Sequence, residues 1–232
     1  MSFKKDGYIV EKNRFPTFRQ GFSKERLLQN YVKGIDIYSS YLKMLPRITW
    51  FQNIFSALEN SIQTLGISTP VIIDQPVLHV MSPDLRIPDG YYGTAAHQDW
   101  PSVQGSLDMV TIWIAITDAE VGNFPLEVIP GSHLGGLREG KPNGSVLEIE
   151  CDDKDFVPIE CKAGDVVFMS GFLIHRTGHG TGFRVAVSQR FDNAAEPTFI
   201  ERGYPCAQKR VVDREIRWKP TVEQVRAVYA VD

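Results

Sequence analysis

The sequence predicts a mainly β protein, a sandwich or barrel with helical cover, on two observations. Apolar residues spaced by three and four fill the first quarter of the chain. From Pro70 this spacing gives way to short β-type runs separated by Gly, Pro, Asn and Asp turns. Helices first and many strands afterwards argue against an alternating βαβ fold. The length of 232 residues suits one generous domain, with mostly helical cover over 1–69, a β core over 70–195 and a C-terminal extension over 196–232.

Each element has its own local reason. Ser23 is a candidate cap for a helix carrying Leu27, Leu28, Tyr31, Val32 and Ile35. A second helix starts at Thr49. Its apolar face is Phe51, Ile54, Phe55, Leu58, Ile62 and Leu65, and Gly66 ends it. The strand candidates are Val71–Val80, Ser106–Thr117, Leu126–Ile129, Ser145–Glu150, Phe156–Cys161, Asp165–Ile174 and Phe183–Asp192. Lys141-Pro142-Asn143-Gly144 and Ala163-Gly164-Asp165 read as turns, and Thr221–Ala230 as a short closing helix.

Composition excludes several classes. Hydrophobic residues are 43% and charged residues 23%, as in an ordinary globular protein. The net charge of −3 lacks the basic excess of a nucleic-acid or membrane-surface protein. Cys151, Cys161 and Cys206 form no CxxC and no even set, so a disulfide framework is not expected and a reducing cytoplasm is. No secretory leader or membrane span is expected. The sequence is silent on oligomeric state.

The chemistry concentrates on a few residues. In extended backbone, His97 and Asp99 of His97-Gln98-Asp99 point to one face and can grip one ion. The apolar run Val166–Ile174 delivers His175 at its end. Two imidazoles and one carboxylate leave three positions of an octahedral metal open, a set that points to non-haem Fe(II), with zinc as the competing ion. Arg184 opens the next apolar strand, where an unpaired charge is very costly, so it calls for a carboxylate partner, structural or bound. That favours iron with a bidentate, carboxylate-bearing co-substrate.

These residues sit in a recognisable order. Ala96-His97-Gln98-Asp99-Trp100, then Asn123-Phe124-Pro125-Leu126-Glu127-Val128-Ile129-Pro130-Gly131-Ser132-His133, then Gly164-Asp165-Val166-Val167-Phe168, then His175 and Arg184 resemble the phytanoyl-CoA dioxygenase family, a branch of the Fe(II)/2-oxoglutarate oxygenases. The resemblance covers roughly residues 70–195. It implies a double-stranded β-helix (jelly-roll) core with N-terminal helices packed on one sheet. It also implies Fe(II) on His97, Asp99 and His175, the distal carboxylate of 2-oxoglutarate on Arg184, and O2 as second co-substrate. The expected activity is hydroxylation of an unactivated C–H of a small molecule, with release of succinate and CO2. An O2-independent cupin-type hydrolase or isomerase and a non-catalytic jelly-roll module are the alternatives.

Further positions carry weaker expectations. Thr111 and Trp113 share a strand face, and Ser188 shares one with Arg184, so all three are candidates beside the co-substrate. Tyr91, Tyr92, Trp100 and Phe172 lie near the ligands in sequence and are candidates for an aromatic substrate pocket. The interval from His175 to Arg184 is short for the family, and Gly178-His179-Gly180-Thr181-Gly182 makes His179 a rival distal ligand. His79 reads as a satisfied strand histidine and His133 as a loop residue. The basic run Lys209, Arg210, Asp213, Arg214, Glu215, Arg217, Lys219 reads as a solvated face.

Overall fold

A computed structural model describes residues 2–16, 22–47, 49–88, 92–143, 146–205, 216 and 218–230. Tyr91, Cys206 and the run from Lys209 to Arg217, apart from Ile216, lie outside the described residues. The strands are β1 (Tyr8–Glu11), β2 (Pro70–Met81), β3 (Val110–Ala115), β4 (Leu126–Val128), β5 (Lys141–Asn143), β6 (Val146–Glu148), β7 (Val157–Ile159), β8 (Val166–Ser170), β9 (His175–Thr177) and β10 (Arg184–Asn193). A major antiparallel sheet runs β1-β8-β3-β10-β2, and a minor one runs β7-β4-β9. Two facing sheets with helices on the outer side of the larger one make the expected jelly-roll core.

Alternation along the strands decides which residues face which layer. Ile112, Ile114, Phe168, Val185 and Val187 point outward and pack under Leu27, Tyr38, Phe55, Leu58 and Ile62 of the helical cover. Trp113, Ala115, Val167, Met169 and Ala186 point inward, toward Leu126, Val128 and Ile159 of the minor sheet. Strands buried on both faces explain the near-continuous apolar runs in the sequence.

The helical cover comprises α1 (Phe3–Asp6), α2 (Lys24–Tyr31), α3 (Ile35–Met44), α4 (Thr49–Ser56) and α5 (Glu59–Thr64); α6 (Trp100–Val103), α7 (Pro197–Glu201) and α8 (Val222–Val228) follow. Ser23 caps α2 as expected, its side chain accepting from Arg26 N. The single helix expected from Thr49 to Leu65 is instead two. The apolar face is continuous because Leu58 stays fully buried, while the backbone between them tightens to Leu58 N–Phe55 O. Periodicity reports the buried face and not the continuity of the hydrogen-bond ladder. Three strands lie outside the expected set: β1, β5 and β9. β5 occupies the Lys141–Asn143 turn, and the run expected to reach Ile174 stops at Ser170.

The segment from α6 into β3 is tied down by a buried carboxylate. Asp192, at 2% exposure, accepts from Ser106 N at 2.8 Å and Ser106 Oγ at 3.2 Å. A Cβ on Gly105 would overlap that carboxylate, which is why a glycine stands there. Burial pushes the Asp192 carboxyl up to about 7, with the Ser106 bonds opposing.

The folded protein therefore holds a proton on Asp192 that the unfolded chain has already lost above its ordinary carboxyl value of about 3.9. Stability from this group is greatest below pH 4 and declines as pH rises through about 7, by up to roughly 3–4 kcal/mol. Asp192→Asn should flatten that decline. Melting temperatures of both proteins between pH 4 and 8 check this, and a constant gap between the two curves contradicts it.

Candidate metal centre

His97 and His175 are joined by a two-way backbone bridge. His97 N donates to His175 O and His175 N to His97 O, each at 3.0 Å. Bridge partners present their side chains on one face, so the rings lie 4.2 Å apart between centroids. His175 does not end the β8 run, as the apolar pattern suggested. The chain turns after Ser170, and His175 opens β9, opposite Val128 of β4.

Asp99 reaches the same point by another route. Its backbone is helical at φ −78, ψ −31, at the N-cap of α6, so the extended His-x-Asp geometry expected from the sequence is absent. The side chain caps nothing and turns inward. One ligand atom from each of His97, Asp99 and His175 lies within 4.8 Å of the others, and all three residues are buried. His97 Nε2 is 3.7 Å from Asp99 Oδ1, and His175 Nε2 is 3.8 Å from Asp99 Oδ2.

The histidines are oriented for ligation. Each Nδ1 is bonded to a carbonyl two residues upstream, His97 to Ala95 O at 2.8 Å and His175 to Leu173 O at 3.0 Å. Donation from Nδ1 leaves the Nε2 lone pairs directed at the common point. Burial, then the neighbouring His97, pushes His175 down to about 4. It is thus neutral at physiological pH, the form that ligates.

Asp99 keeps its charge despite 2% exposure. Burial favours the protonated acid, but Arg190, then His97 and His175, outweigh it and hold the carboxyl well below the ordinary range. Arg190 Nη2 donates to Oδ1 at 2.6 Å, and Thr111 Oγ1 donates to Oδ2 at 2.7 Å. Thr111 and Arg190 are direct cross-strand partners on β3 and β10. Two imidazole nitrogens and one carboxylate, buried and pre-oriented on one point, fit a divalent first-row metal.

The other expected residues divide into two groups. Arg184 is 2% exposed and lies on the inner face with the ligands; its Nε donates to Phe124 O at 3.0 Å, and its guanidinium lies 5.6 Å from the Trp113 ring centre. Trp113 and Ser188 are also on this face, and Ser188 Oγ bonds His79 Nε2 at 2.8 Å. By contrast, Trp100 and Phe172 stack on each other at 5.3 Å, fully buried in the helix-side core. Tyr92 lines a groove of 1180 Å³ together with Phe124, Phe156, Arg176 and His179. That groove is lined by none of the three ligand residues, and His179 is not part of their cluster. His133 is fully buried, bonded to Lys4 O through Nε2.

Arg190 was not singled out as an Asp99 partner by the sequence reading, although the alternation that turns Arg184 and Ser188 inward turns Arg190 inward as well.

Replacing His97, Asp99 or His175 by Ala should abolish stoichiometric Ni(II) binding, while His179→Ala should leave it intact. Thr111→Val should weaken it about tenfold, because an unheld carboxylate samples other rotamers. Calorimetric titration of each variant with Ni(II) measures both effects. Wild-type affinity in His175→Ala would reassign the distal ligand.

Residues 74–186 match the family model described as phytanoyl-CoA dioxygenase. Phytanoyl-CoA dioxygenase 1 of Oryza sativa subsp. japonica is 36% identical over 90 residues, which are 36% of this chain and 30% of that protein. The chain thus spans under half the length of this curated relative. Among solved structures, the ThoJ–nickel complex of a non-heme monooxygenase superposes with a TM-score of 0.59 at 18% identity, covering 82% of this chain and 75% of that one. The epimerase SnoN in complex with Fe3+, alpha ketoglutarate and nogalamycin RO superposes at 0.52 and 14% identity, over 83% and 81%. At these identities the superpositions show a shared fold. The matched stretch contains all three metal-directed residues and Arg184, and over it the chain is similar to the phytanoyl-CoA dioxygenase family.

Proposed function

We propose that this chain is an Fe(II)/2-oxoglutarate-dependent oxygenase that hydroxylates an unactivated C–H of a small molecule, with succinate and CO2 as co-products. The observation that carries this reading is the pre-oriented His97, Asp99, His175 cluster together with the buried Arg184 on the inward side of the major sheet. The match to the family model over residues 74–186 and the fold shared with SnoN, crystallised with Fe3+ and alpha ketoglutarate, support it.

His97 and His175 would supply neutral nitrogen donors and Asp99 a single negative charge, a donor set that would leave a divalent ion with net positive charge to attract a dianionic co-substrate. Arg184 holds the distal carboxylate of 2-oxoglutarate with a planar fork, which also selects its length. Trp113 walls that carboxylate, and Ser188, fixed by His79, lies beside it. Thr111 acts on Asp99 rather than on the co-substrate, given its 2.7 Å bond there. When bound, iron and 2-oxoglutarate supply the activation of O2 that oxidises the C–H. The surrounding apolar layer of Trp113, Ala115, Val167, Met169 and Ala186 excludes water from that chemistry. Asp99 fills with carboxylate the position a halide would need, which favours hydroxylation.

The test is anaerobic titration of the Fe(II) protein with 2-oxoglutarate, read by the visible charge-transfer band, followed by air and assay of succinate. Arg184→Gln should raise the 2-oxoglutarate KM at least about thirtyfold, since truncating a buried charged contact costs roughly 2–5 kcal/mol, and Arg184→Lys should recover part of the loss. A product heavier by one oxygen atom establishes hydroxylation. Absence of the band at saturation would favour an O2-independent metalloenzyme.

A further inference from the structure

We propose that Arg190 anchors an oxyanion of the primary substrate, a carboxylate or a phosphate group, so that the enzyme acts on a small organic acid. The inference rests on the oxygenase reading above and adds a substrate class to it.

Three observations carry it. First, Arg190 lies at the boundary of the site. Its side chain is 20% exposed, whereas the Asp99 carboxylate behind it is 2% exposed. The arginine thus stands between the metal-directed carboxylate and solvent.

Second, its donors are underused. Nη2 bonds Asp99, but Nε is buried and meets no acceptor among the described residues. A buried donor left unmet in a native structure asks for a ligand. An oxyanion seated beside Asp99 would satisfy that donor, and a guanidinium grips such a group through two parallel bonds.

Third, Arg190 shares its anion with the metal centre. The carboxylate bonded to its Nη2 is that of Asp99, and the same carboxylate is turned toward His97 and His175. A guanidinium that holds only a share of one carboxylate in a largely buried site is in a costly state, which an added oxyanion relieves. Metal entry sharpens the need, because the ion claims the carboxylate that now neutralises Arg190.

The two arginines serve separate ends of the site. They stand six positions apart on β10, roughly 20 Å at strand rise. Arg184 lies against Phe124 and Trp113, while Arg190 lies against Asp99 and Thr111. A substrate oxyanion on Arg190 would place the rest of that molecule next to the metal, where a neighbouring C–H is in reach.

The experiment loads the protein with Ni(II) and 2-oxoglutarate and titrates it with butyrate, inorganic phosphate and the neutral analogue butyramide. Ligand-observed NMR or calorimetry reads the affinities. At least one anion should bind the wild type about tenfold or more tighter than butyramide, with 2-oxoglutarate retained. Arg190→Gln should erase that preference without changing butyramide affinity, and Arg190→Lys should keep part of it. Equal affinities in the wild type, a preference that survives Arg190→Gln, or displacement of 2-oxoglutarate by the anion would each overturn the proposal. Should Arg190→Gln lose Ni(II) through its contact with Asp99, the Lys variant decides, since an undiminished preference there contradicts a fork. If the wild type takes up Ni(II) but no 2-oxoglutarate, the oxygenase reading fails by itself, and the same anion titration on the Ni(II) protein still reads Arg190.

Discussion

The site depends on keeping one carboxylate ionised in a place that excludes water. Asp99 is as buried as the leucines around it, and desolvation alone would protonate it. Neighbouring strands of the major sheet prevent this with a matched pair of donors, Thr111 from β3 and Arg190 from β10, one on each oxygen. Because the two donors are cross-strand partners, the register of β3 against β10 sets the position of Asp99. The Asp192–Ser106 anchor, two residues along β10 from Arg190 at the same end of the strand pair, fixes the segment that leads from α6 into β3. Sheet register, loop anchor and metal-directed carboxylate are thus one mechanical unit.

Much of the fold was legible because burial on both sheet faces writes long apolar runs. β2 and β10 appear within a residue or two of their expected ends, and the inward and outward sets of β3 and β8 follow from alternation. The short elements were not legible. β1 and β9 have four and three residues, too few for a period to register, and they exist because a neighbouring edge pairs with them. The break between α4 and α5 was hidden for the converse reason, as Leu58 carries the apolar face across it.

In the site, residue types were more legible than geometry. His97, Asp99 and His175 converge as their chemistry suggested, yet neither stated route was right: Asp99 is helical, and His175 begins a strand of the other sheet. Trp100 and Phe172 were drawn toward the pocket by sequence proximity. A residue adjacent to a ligand in helical backbone points away from it, and both rings fill the helix-side core instead. Arg190 escaped notice because an arginine in a strand is read by its neighbours in sequence, whereas its partner is more than ninety positions away.

The bridge between His97 and His175 is a single residue pair long. It is the seam where the segment carrying Asp99 meets the minor sheet, and the bridge's two backbone hydrogen bonds close it together with Thr177 N to Thr94 O. An ion coordinated by His97, Asp99 and His175 would act across that seam as a removable cross-link, closing a long chain loop much as a disulfide does but reversibly. The centre would then couple catalytic readiness to mechanical integrity. A protein stripped of metal keeps its two sheets but has a looser joint between them, and local opening begins there before it reaches the core.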